Sequence, residues 1–128
     1  MKKQLITCLF LLGVANGHAD TNTEAFQIAE QAIDDWIACV DVNTKFYNLS
    51  GESTENIAIA VMGKCRPEQE SFNIATEQHL LSNTSKSVSV RNYARLKARE
   101  STNEFASQLR DRIFQKLIEE KAVKGLSR

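Results

Sequence analysis

Two cysteines in the body of this 128-residue chain, Cys39 and Cys65, have the widest chemical range of any of its side chains. The second lies in "VMGKCRPEQE", residues 61–70, just before Arg66 and the only proline, Pro67. A cysteine there can serve as a nucleophile, a metal ligand or half of a disulfide. No Cys-x-x-Cys spacing supplies a redox motif. Beyond residue 20 there is a single histidine, His79, so a Cys–His or Ser–His–Asp site would have to use it. Zinc sites usually draw on several His or Cys ligands, and with both sulfurs oxidised a metal site here would be nearly all carboxylate. Glu30, Asp34 and Asp41 fall on one polar stripe with Asp35 beside it, and Lys45 follows Asp41 by four residues. That spacing describes a solvated helix face with an ordinary surface pair rather than two carboxylates held for acid–base work. The chain has no glycine-rich phosphate loop, no His-Glu-x-x-His and no calcium-loop pattern. The expectation is a protein that is not an enzyme and that uses no metal or cofactor.

The redox state of the cysteines follows from the start of the chain. "MKKQLITCLFLLGVANGHAD" places two lysines before an apolar run from Leu5 to Ala15, then Gly17 and Ala19 at the −3 and −1 positions of a cleavage after Ala19. This is the layout of a secretory signal peptide, and the run is shorter than the stretch of about 18–20 residues that a membrane span needs. Cys8 lies inside the run, not after it, so a lipidated form is not expected, and Cys8 and His18 leave with residues 1–19. The mature chain, 20–128, is expected to be one helical domain, periplasmic or secreted. An even pair of cysteines in an oxidising compartment reads as a disulfide. Closing its loop should stabilise the fold by about 3 kcal/mol on the chain-entropy argument.

The elements that must position the pair are helical. Phe26, Ala29, Ile33, Trp36 and Val40 recur at three and four residues, which predicts a helix running to about Asn48, with Gly51 to turn the chain. Ser53 or Thr54 caps a second helix on which Ile57, Ala58, Val61, Met62 and Cys65 share a side. Folded as an antiparallel hairpin, the first two helices bring Cys39 and Cys65 to one level, with Ala38, Ala60 and Gly63 small enough to allow close approach. A third helix covers residues 66–83, with Pro67 in its first turn, where a missing N–H is harmless, and carries Phe72, Ala75, Thr76, His79 and Leu80 on one face. Residues 82–87 form a polar linker. Val88 to Val123 is one helix, or two meeting at Ser101, where Ser101 and Glu104 have the spacing of a capping box; Gly125 ends it. The fold class is therefore all-α, a small bundle of four or five helices.

Charge is distributed unevenly along this framework. Residues 20–87 carry eleven acidic and four basic side chains, and residues 88–128 carry ten basic and five acidic. Arg91, Arg95 and Arg99 stand four apart on the last helix with Lys97 nearby, a stripe that lies against the acidic first hairpin, is simply solvated, or docks a partner. An acidic envelope protein is the expected partner, with anionic lipid or an envelope polymer as alternatives. Nucleic acid is disfavoured by the compartment and by the single aromatic in "RNYARLKAR". The expected function is that of an exported binding protein of inhibitor, immunity or assembly-factor type. The alternative is a carrier or sensor of a small apolar molecule held among Trp36, Phe72, Tyr93 and Phe105.

Overall fold

A computed structural model describes residues 18–127, with side chains from Asn22 to Ser127. The expected leader, residues 1–19, lies almost entirely outside the described residues. Four helices make up the fold: α1 (His18–Asn48), α2 (Thr54–Lys64), α3 (Arg66–Leu81) and α4 (Val88–Leu126). No strand occurs among the described residues, and none of their helices is long and apolar enough to cross a membrane.

Of the two cap candidates for the second helix, Ser53 is the one that caps, and Ser87 of the polar linker caps α4. Ser53 accepts a hydrogen bond from the Asn56 N–H at 3.2 Å, and Ser87 accepts one from the Val90 N–H at 3.3 Å. Gly51 takes a positive φ of 76° in the α1–α2 turn, a conformation that a Cβ would strain. Between α2 and α3 a single residue, Cys65, departs from helical dihedrals, with φ −93° and ψ 20°, although its N–H still donates to the Val61 carbonyl at 3.0 Å. Pro67 explains the break. It cannot donate to the carbonyl of Gly63, and its ring would collide with that carbonyl in a straight helix.

Four helices thus act as three rods. Ser82 meets Asn22, His79 meets Phe26, Phe72 meets Trp36 and Cys65 meets Cys39, so α2 and α3 run in series antiparallel to α1. Arg95 faces Glu77, Thr102 faces Asn73 and Lys121 reaches Thr54, so α4 is antiparallel to the same broken rod. Asp41 with Arg112, and Asn48 with Glu120, show that α1 and α4 run parallel. This corrects the expected hairpin: α1 packs more extensively on α3 than on α2, because the hairpin arm is α2 and α3 together. Cys65 is not a residue of the second helix but the joint between the two.

The core fills the axis between the rods. Trp36, Val40, Ile57, Val61, Phe72, Leu109, Ile113 and Leu117 are buried, and the hydroxyls of buried Thr44 and Thr102 donate to the Val40 and Ala98 carbonyls at 2.7 Å. On α4 the buried stripe continues through Ala98, Thr102 and Leu109, with Phe105 packed against the core, so the helix does not break at Ser101. Continuous packing against α3 outweighs the local capping-box signal, and Ser101 and Glu104 are exposed. Gly125 lies in the last turn of α4, not beyond it. Gly63 does not admit the disulfide either, since a Cβ placed there would meet nothing within 4 Å.

Candidate functional site

The disulfide forms as its compartment and spacing predict. Cys39 and Cys65 are bonded with their Cα atoms 5.9 Å apart. Asn43, one turn after Cys39, donates to the Cys39 carbonyl at 2.9 Å, and its amide lies 3.5 and 3.8 Å from the two sulfurs. Glu68 completes a group whose potential ligand atoms lie within 4.8 Å of one another. Both sulfurs are already used in the bond to each other, so this trio is a covered staple rather than a nucleophile.

The last helix presents its basic stripe unevenly. Arg91, Arg95 and Arg99 are exposed. Arg95 lies 3.6 Å from Glu77 on α3, and Lys97 is 2.7 Å from Glu100 on its own helix and over the Tyr93 ring at 5.9 Å. Arg91 and Arg99 make no ion pair among the described residues. The stripe therefore does not lie against α1. The side chains that do are Arg112 and Lys116, which hold Asp41 at 2.9 and 2.6 Å. Sequence spacing had paired Asp41 with Lys45. It could not find the true partners, which lie more than seventy residues away and reach Asp41 only because α1 and α4 run parallel.

At that junction the Asp41 carboxyl is held well below its ordinary pKa. Hydrogen bonds from Arg112 hold the Asp41 carboxyl down at about 2, against an opposing push from partial burial, and Lys116 adds to the lowering. A carboxyl depressed in the folded state stabilises it above the ordinary pKa, and that stability is lost as pH falls through the folded value. Asp41→Asn is therefore expected to lower stability at pH 7 by about 1 kcal/mol, a figure reduced for the solvent exposure of Arg112. Urea unfolding across pH should show the difference from wild type shrinking between about pH 4 and pH 2. A gap that persists at pH 2 would mean that Asp41 acts through packing and not through its charge.

Three of the four aromatic positions come together. The Trp36 ring lies 5.8 Å from Phe72 and 5.4 Å from Phe105, and Phe72 lies 5.7 Å from Phe105. Tyr93 stands apart from them, 61% exposed under Lys97. His79 is half-buried against Phe26, with centroids 5.6 Å apart. Comparison with protein families, with curated proteins and with solved structures finds no match for this chain. What the fold offers are a partly buried disulfide, a closed aromatic core and two arginines of α4, Arg91 and Arg99, without an ion pair among the described residues.

Proposed function

We propose that this chain is an exported, non-catalytic binding protein of the inhibitor, immunity or assembly-factor type, periplasmic or secreted, that acts on an acidic envelope protein. Arg91, Arg95, Lys97 and Arg99 form its docking face. The observation that carries the reading is the pair of exposed guanidinium groups at Arg91 and Arg99, which have no ion pair among the described residues and flank the stripe of Ala94, Ala98 and Thr102 that anchors their helix in the core. Such groups lose little on desolvation and match carboxylates through paired N–H donors. The intramolecular disulfide supports the oxidising compartment.

Charge reversal tests it. R91E/R95E/R99E should weaken the complex with the partner that co-purifies from the envelope fraction at least tenfold, and leave far-UV helicity unchanged. Retention at wild-type strength would remove the docking face from consideration. Transfer of binding to anionic vesicles, lost in the same variant, would replace the protein partner with a lipid surface.

The alternative, a carrier of a small apolar molecule, gains support from a different place than the four aromatics. A cavity of about 500 Å³ opens between the ends of α1 and α4, lined by Thr44, Val123 and the stems of Lys45, Lys116 and Lys124. An environment-sensitive apolar dye would bind there, and V123D would abolish its signal. A dye signal indifferent to V123D would move the ligand elsewhere.

A further inference from the structure

The joint at Cys65 shapes the surface as well as the core. Where α2 ends and α3 begins, two cavities of about 390 and 380 Å³ adjoin between the broken rod and α4. They share Arg66, Gln69 and Asn103, and together form one groove. Arg99 stands at one end and Arg110 at the other, three turns apart on α4, or about 16 Å along its axis. Arg66 lines both halves. All three arginines are exposed, and none makes an ion pair or a side-chain hydrogen bond among the described residues.

We infer that this groove, with Arg66, Arg99 and Arg110 as carboxylate receptors, binds an extended acidic peptide segment of the partner protein. The inference rests on the binding reading above and names the place and chemistry of contact. A single small anion would engage one guanidinium and leave the others idle, whereas charges spread over about 16 Å require an elongated ligand. The groups between the arginines distinguish a peptide from other polyanions. Gln69, Asn73 and Asn103 are carboxamides, each offering a carbonyl acceptor as well as N–H donors. A main chain, with alternating N–H and C=O, uses both; a polyphosphate uses only donors. Glu70 also lines the groove, and its carboxylate would repel a densely charged polyanion more than a peptide with spaced carboxylates.

Arg99 belongs to both the α4 stripe and the groove, so the decisive substitutions leave it in place. The probe is a fluorescein-labelled peptide of about ten residues, alternating Glu and Gly, titrated against the disulfide-bonded mature chain and followed by anisotropy. The expected result is salt-sensitive binding that R66Q/R110Q weakens by about tenfold while K86Q/K121Q, which removes the same charge outside the groove and the docking face, changes it less than threefold. Because the substituted residues are exposed, both variants should keep wild-type helicity and melting behaviour. Loss in R91Q/R95Q but not in R66Q/R110Q would overturn the groove and leave the docking-face reading standing. No binding by the wild type would overturn the groove outright, with the co-purification experiment still deciding the wider reading. Displacement of the peptide by tripolyphosphate at much lower concentration than by unlabelled peptide would also overturn it, in favour of a phosphate-bearing ligand.

Discussion

Trp36→Ala is expected to be the most destabilising single substitution in the protein, at about 3–5 kcal/mol. The indole is fully buried and belongs to the apolar cluster that joins α1, α2, α3 and α4. Its ring meets Phe72 of α3 and Phe105 of α4, so one side chain ties all three rods at a single level. Truncation removes the apolar area of the largest core residue and leaves a cavity that helices held by a disulfide one turn away cannot easily collapse into. For a chain of this size the melting temperature should fall by more than about 12 °C. Trp36→Phe is the informative comparison. The indole N–H has no hydrogen-bond partner among the described residues, so phenylalanine forfeits volume but no hydrogen bond, and the loss should stay below about 2 kcal/mol. Thermal unfolding followed by far-UV circular dichroism checks both. A Phe variant as damaged as the Ala variant would show that the indole N–H is bonded in solution and that the site is polar.

The sequence reading succeeded where a local signal and the tertiary fold agree. Period 3.6 on α1 marks Trp36 and Val40, both of them buried. The serines at 53 and 87 cap because nothing in the core competes for them. A first shortfall is an alternative left open, where long-range packing overrules a local preference. Ser101 and Glu104 have the spacing of a helix start, yet buried Thr102, with its hydroxyl 3.2 Å from Asn73 Oδ1, keeps the backbone helical across that point. Asp41 shows a second kind of failure. An i,i+4 lysine is visible in sequence, whereas the parallel arrangement of α1 and α4 that delivers Arg112 and Lys116 emerges only from the three-rod topology. The candidate groove was least legible of all. Arg66 and Arg110 carry no functional signal in the sequence, because nothing in their spacing reveals that the joint brings them beside Arg99.

Replacing both cysteines, Cys39→Ala with Cys65→Ala, should destabilise the fold by about 3 kcal/mol and leave its helices in place. The bridge joins residues 26 apart, so without it the unfolded chain regains the freedom of that whole loop. An effect of this origin has a particular signature. The unfolded ensemble expands and exposes more surface, so the denaturant m-value should rise as the midpoint falls. Folded-state losses are small by comparison, since alanine keeps most of the apolar contact made by buried Cys65 and relinquishes only the sulfur near the Asn43 amide. The double variant is needed because a single one would leave a buried thiol facing an alanine and mix a packing defect with the loss of constraint. Thiol titration of the denatured, unreduced wild type should find no free sulfhydryl at Cys39 or Cys65. If the double variant unfolds at the wild-type midpoint with an unchanged m-value, the joint is held to α1 by Trp36 and its neighbours alone.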